Sequence, residues 1–274
     1  MKTTLFVLAL AIVTQSSAQG QAPPAPFAAQ RPLYPGIKPV RTCESLTNVT
    51  PPNIRIERAV TEGTVCRVTA VVTRPWADDK VTVWVALPIE GWNGRFQGTG
   101  GGGMSGGSEN NLRAPAAAGY VAAGTDTGHE GGSGSFALDE QGRHRWMLIR
   151  DNAYLGIHDM TVTAKALIEF YYGKPARYAY FNGCSTGGRQ GLSEAQRYPA
   201  DYDGILAGAP AINFPKLHVA QIWGPMLMQI KRHTVPMCRF AAATNAENIM
   251  PLPHIAAGLR SSRLWAYRPL LGSQ

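Results

Sequence analysis

Apolar and polar residues alternate over 54–60, where Ile54, Ile56 and Arg55, Glu57 fall on opposite faces. A period of two predicts a strand there. Residues 65–73 and 81–87 are rich in β-branched side chains and predict two more strands, paired antiparallel. Short strands are expected at 95–97, ahead of the end of a glycine-rich stretch over 91–107, and at 120–125. The period then changes. Met160, Ala164, Leu167 and either Phe170 or Tyr171 recur at helical spacing across 157–172, with Gly173 as a stop. An aromatic-rich strand over 178–182, a helix over 187–198 ended by Pro199, and a buried strand over 203–207 complete the pattern. Strands alternating with helices argue for an α/β fold.

Composition fits that reading. The chain has 274 residues, of which 45% are hydrophobic and 16% charged, enough to bury a core. No run of eighteen apolar residues predicts a membrane span, and no repeat suggests a solenoid. Lys2, the nine apolar residues from Leu5 to Val13, and Ser16-Ser17-Ala18 read as an export signal over 1–18. The protein is therefore expected to be secreted or periplasmic, where disulfides are allowed. Cys43 and Cys66 are plausible partners; Cys184 and Cys238 have no obvious mates. Residues 19–39, with several Pro and Ala, read as a flexible lead-in.

The net charge of +8 is unevenly placed. From Gly204 to Gln274 seven cations face one acid, Glu247, which accounts for six of the eight charges. No nucleic-acid motif accompanies them, so a solvated or disordered basic tail is expected. Neither C-x-x-C nor H-E-x-x-H occurs, so no metal site is expected from spacing.

The candidate chemistry lies in Gly183-Cys184-Ser185-Thr186-Gly187, a G-x-S-x-G motif between the strand over 178–182 and the following helix. Strand, tight turn and helix together make a nucleophile elbow, with Ser185 as candidate nucleophile. A glycine turn in which Ser185 only caps the helix is the alternative. The run Gly98-Thr99-Gly100-Gly101-Gly102-Gly103 supplies a second piece. A hydrolase of this kind takes one oxyanion donor from the residue after the nucleophile, here Thr186. It takes another from a glycine-rich loop, a role that Gly101 or Gly102 fits. His129 either lines the site or holds its own loop. His158 is expected to be structural, Asp126 to hydrogen-bond its own loop, and His218, His233 and His254 to be core or surface residues.

From Phe181-Asn182-Gly183-Cys184-Ser185-Thr186-Gly187-Gly188-Arg189-Gln190-Gly191-Leu192 the motif continues through Glu194-Ala195-Gln196-Arg197-Tyr198-Pro199 and Asp203-Gly204-Ile205 to Ala207-Gly208-Ala209-Pro210-Ala211. This stretch resembles the tannase and feruloyl esterase family, which includes mono(hydroxyethyl) terephthalate hydrolases. Trp92-Asn93-Gly94-Arg95-Phe96, Thr125-Asp126-Thr127-Gly128-His129 and Ile157-His158-Asp159-Met160-Thr161 add to the resemblance, which runs from about Cys43 to about Asn245. It implies an α/β-hydrolase core with a mostly parallel sheet. It also implies a Ser185 acyl-enzyme and small-molecule esters of aromatic acids as substrates, with no nucleic-acid or membrane partner. Oligomeric state is not legible. In the family, the cysteine before the nucleophile bonds one beside the catalytic histidine, and Cys184 stands in that place.

The resemblance also sets a departure. The family is about twice this length and carries a lid with a calcium loop, then the catalytic Asp and His. Here no Asp follows Asp203, so Cys184 lacks its family partner and no cofactor is expected in this chain. The expected organisation is a core over 40–211, the start of a lid over 212–245 and a divergent basic tail over 246–274, the product of a frameshift or early stop. The sheet is then incomplete on its C-terminal side. Two functional readings follow: a serine carboxylesterase, or an inactive fragment or non-catalytic binder of aromatic esters or acids.

Overall fold

The computed structural model describes residues 31–74, 77–239 and 241–242. The export signal over 1–18, the lead-in up to residue 30, His254 and the basic tail over 246–274 lie outside them. The chain divides into two compact units at Ala209/Pro210.

The first unit is built on one seven-stranded sheet in the order β1-β2-β3-β5-β4-β6-β7. Strands β1 (Ile54–Glu62), β2 (Val65–Arg74) and β3 (Ala77–Pro88) form an antiparallel meander, and β3 runs antiparallel to β5 (Val121–Thr125). Strands β5, β4 (Arg95–Thr99), β6 (Tyr178–Cys184) and β7 (Gly204–Gly208) are parallel. The sheet is therefore mixed, because three of its six pairings are antiparallel and three are parallel. The register explains the β-branched bias of this region. Val68 faces Val85, Ala70 faces Val83 and Val72 faces Val81, all buried.

Helix α3 (Gly156–Tyr172) covers this face. Its residues Ile157, Met160, Ala164, Leu167, Ile168 and Tyr171 are buried in the same cluster as Phe96, Val121, Ala123 and Phe181. Tyr171 takes the inward position and Phe170 is exposed, which settles the alternative left open by the spacing. Gly173 ends the helix at φ 69°, and its N–H donates to Glu169 O. A left-handed C-cap of this kind favours glycine. Helix α1 (Arg113–Ala117) lies on the opposite face, where Leu112, Ala116, Ala86 and Ala122 form a smaller cluster. Helix α4 (Thr186–Arg197) packs against β6 and β7.

Strand β7 was expected to be buried. It is the outermost strand, pairs with β6 alone among the described residues, and leaves Leu206 63% exposed. Residues 31–39, expected to be loose, make specific contacts. The Leu33 N–H donates to Asn93 O at 3.0 Å, and the Tyr34 ring lies 5.8 Å from that of Trp92.

The disulfide expected between Cys43 and Cys66 is present and joins the 3-10 turn Glu44–Asn48 to β2. Closing a loop of this separation is worth about 3 kcal/mol in the chain-entropy account.

One polar knot crosses the core. Arg74, at the end of β2, donates to Asp79 on β3 and Asp159 on α3, and its Nη1 lies 3.0 Å from Asp151 Oδ1. Asp151 opens a π-helical turn (Asp151–Leu155) that joins the short helix α2 (Trp146–Arg150) to α3. Burial, then the neighbouring Asp79 carboxyl, push Asp151 up to about 8. The folded state thus holds a proton that the unfolded chain releases near pH 4. This contribution is complete below pH 4 and is lost as pH rises toward 8, at up to about 1.4 kcal/mol per pH unit. Denaturant midpoints measured from pH 4 to 8 should fall with pH, and Asp151→Asn should reduce the slope without abolishing it, since burial also raises Glu194.

The second unit contains α5 (Phe214–Ile230), which starts with a proline in its first turn and contains Pro225. Val219, Ile222, Trp223 and Ile230 are exposed on it. It occupies the stretch expected to begin a lid.

Candidate functional site

The sharpest turn of the chain sits where β6 meets α4. Ser185 stands alone between them at φ 59° and ψ −115°, outside the regions ordinary residues occupy. Such a conformation costs on the order of 1–3 kcal/mol and persists only when its surroundings fix it. Here they do. The Ser185 N–H donates to Gly208 O at 3.0 Å, and its carbonyl accepts from the Arg189 N–H at 3.1 Å. The side chain is exposed and makes no capping hydrogen bond to α4, so the capping alternative does not hold. Gly183 makes the turn possible, since a Cβ there would come within 2.5 Å of the Gly187 backbone.

The glycine run is brought against this turn across about ninety residues of sequence. A Cβ on Gly100 would lie 2.5 Å from Gly187 Cα, so the two backbones touch directly. The Gly187 N–H donates to Gly101 O at 2.9 Å, and Thr186 Oγ1 donates to Gly103 O. Gln190 completes the fastening. Its Oε1 accepts from the Gly101 N–H and its Nε2 donates to Gly106 O, each at 3.0 Å, while the side chain is fully buried. Asn111 Nδ2 supports the far side through Gly100 O at 3.2 Å.

This wiring corrects one expectation. The Gly101 amide is already spent on Gln190, so it is not free to meet an oxyanion. The N–H groups of Thr186 and Gly102 carry no such bond among the described residues. Gln190 was missed in the sequence, although a signal existed. It lies four residues after Thr186, on the same face of α4, and that face meets the glycine run.

The histidines and Asp126 have partners or positions of their own. His129 Nε2 lies 2.9 Å from Met104 O, and its ring stacks on Phe136 at 3.7 Å. It holds its own loop against the segment after the glycines. Asn152 Nδ2 reaches the same Met104 carbonyl at 2.8 Å. Asp126 Oδ1 accepts from the N–H groups of Thr82 and Gly128, as expected of a loop carboxylate, and burial raises its pKa. His158 lies 2.6 Å from Asp201 Oδ2 and stacks on Tyr198. His218 and His233 are exposed in the second unit. Cys184 and Cys238 are free thiols, both exposed.

A strained serine at a strand-to-helix turn that packs on a glycine loop, at the parallel end of a mixed sheet, defines an α/β-hydrolase fold. Comparison with known proteins narrows this. Residues 66–247 match the family described as tannase and feruloyl esterase, and the chain belongs to that family. It is 46% identical over 187 residues to a probable feruloyl esterase of Arthroderma benhamiae, covering 66% of this chain and 35% of that protein. It is 38% identical over 165 residues to feruloyl esterase B of Aspergillus niger, covering 59% and 29% respectively. Among solved structures, feruloyl esterase B from Aspergillus oryzae superposes with a TM-score of 0.56 at 29% identity, covering 63% of this chain and 38% of that one. Tannin acyl hydrolase from Aspergillus niger gives 0.63 at 25% identity, covering 75% and 43%. The chain thus spans about a third of the length of the curated relatives it matches.

Proposed function

We propose that this chain carries the nucleophile half of an exported serine esterase acting on esters of aromatic acids. The observation that carries the reading is the Ser185 turn: a serine held at positive φ, exposed and uncapped, whose next two residues are fastened to a glycine loop. In this reading Ser185 Oγ attacks the ester carbonyl and forms an acyl-enzyme, which water later hydrolyses. The N–H groups of Thr186 and Gly102 take the developing oxyanion. The Cys43–Cys66 disulfide fits an oxidising compartment, and no helix among the described residues is long and apolar enough to cross a membrane.

A serine hydroxyl needs a base. His129 and His158 have other partners in the first unit, so neither is assigned as the base in this reading. The same observation favours the second reading, a non-catalytic binder of aromatic esters or acids. One experiment separates the two. The protein and its Ser185→Ala variant are incubated with a fluorophosphonate probe and with a chromogenic aryl ester. An esterase is labelled at Ser185, and turnover falls at least about a thousandfold in the variant. Binding of the ester with neither labelling nor turnover supports the binder.

A further inference from the structure

Nine residues along α4 from Ser185, about 13 Å away along the helix, a second group of side chains converges that the ester chemistry does not use. Glu194 comes from α4 itself, His158 from α3 and Asp201 from the turn before β7. One donor atom from each lies within 4.8 Å of the others. The stack of His158 on Tyr198, with ring centroids 3.8 Å apart, fixes the imidazole so that Nδ1 faces the Asp201 carboxylate.

Glu194 is the anomaly. It is fully buried, and neither carboxylate oxygen has a hydrogen-bond partner among the described residues. A buried carboxylate without a partner is costly, and a second carboxylate beside it raises the cost. The Lys165 ammonium does not relieve it. That group donates to the main-chain carbonyl of Asp201 at 2.6 Å.

We propose that His158 Nδ1, Glu194 and Asp201 form a binding site for a divalent transition-metal ion, zinc in the first place. Two carboxylates match its charge, and an imidazole nitrogen with two carboxylate oxygens is a donor set that zinc accepts. One oxygen from each acid is too few for calcium, which takes six to eight. The His158 side chain is 28% exposed, which leaves an entrance and room for water as a further ligand. Binding requires Nδ1 and Oδ2 to open from 2.6 Å to about 3.3 Å, the ligand separation around a tetrahedral ion. The ion would tie α3, α4 and the turn before β7 together behind the nucleophile. Such a tie is independent of whether Ser185 is catalytic.

The test uses the chain with Cys184→Ser and Cys238→Ser, so that exposed thiols bind no metal. It is stripped with chelator, then titrated with zinc chloride, with calcium and magnesium chloride as controls. One equivalent of zinc should remain after gel filtration. The thermal midpoint should rise by roughly 5 °C at zinc a hundredfold above the dissociation constant. Glu194→Gln, which keeps size and hydrogen-bonding capacity, and His158→Ala should each abolish both effects. A proton shared between Glu194 and Asp201 is the competing arrangement. It predicts no retained zinc, no rise, and a Glu194→Gln variant as stable as the parent. Absence of stoichiometric zinc, or a rise that survives in both variants, overturns the proposal.

Discussion

Gln190→Leu should destabilise the protein by about 2–6 kcal/mol and detach the glycine loop from α4. The substitution keeps the side-chain bulk but leaves the Gly101 N–H and the Gly106 carbonyl without their partner. Each unsatisfied buried group costs about 1–3 kcal/mol. The loop that loses its clamp carries Gly102, so the two amides assigned to the oxyanion would no longer be held in register. Urea unfolding gives the first number, and limited proteolysis over 100–107 reports the second. Gln190→Glu provides the informative contrast. The carboxyl at this fully buried position either ionises at a desolvation cost or takes up a proton and donates to Gly106, so its stability loss should shrink as pH falls. A Leu variant with unchanged unfolding and no new cleavage would show that the loop is held by its glycine contacts alone.

Arg74→Met is the second large effect. It removes the one cation from a knot that holds Asp79, Asp151 and Asp159. Breaking a buried charge group by deleting one partner typically costs 3–5 kcal/mol, since the remaining charge is left without compensation. The expected loss at pH 8 is in that range. It should shrink as pH falls. Burial already raises Asp151 and Asp159, and without Arg74 the cost of ionising them rises further. Protonation then relieves the repulsion in the folded state. Denaturant midpoints of the variant and parent at pH 5 and pH 8 decide the matter. A loss equal at both would mean that packing of the Arg74 stem, not its charge, matters.

Local pattern made much of the architecture legible. Residues 157–172 read as a helix because four apolar positions repeat on one face and Gly173 closes it, and the helix runs Gly156–Tyr172. The motif around Ser185 was legible because glycine spacing and a strand–helix switch are both local. What escaped was non-local or energetically unusual. Gln190 meets its loop partners 84 and 89 residues away. The Arg74 knot joins residues up to 85 apart, and nothing in the spacing of single aspartates announces it. The π-helical turn at Asp151–Leu155 was not anticipated, since Asp151 and Asn152 disfavour helix without specifying a wider turn. Strand β7 was misjudged as buried because an apolar run cannot say how many neighbours a strand will have. His158, Glu194 and Asp201 lie 36 and 7 residues apart in sequence, far from any spacing that marks a metal motif.

The outermost strand has a practical consequence. Along one margin of Gly204–Gly208 the peptide groups meet no neighbouring strand among the described residues, and Leu206 points outward beside them. Such a margin is a template on which a second molecule can zip itself. Self-association should therefore set the upper working concentration of this chain in solution, and a lysine at position 206 is the simplest way to raise it.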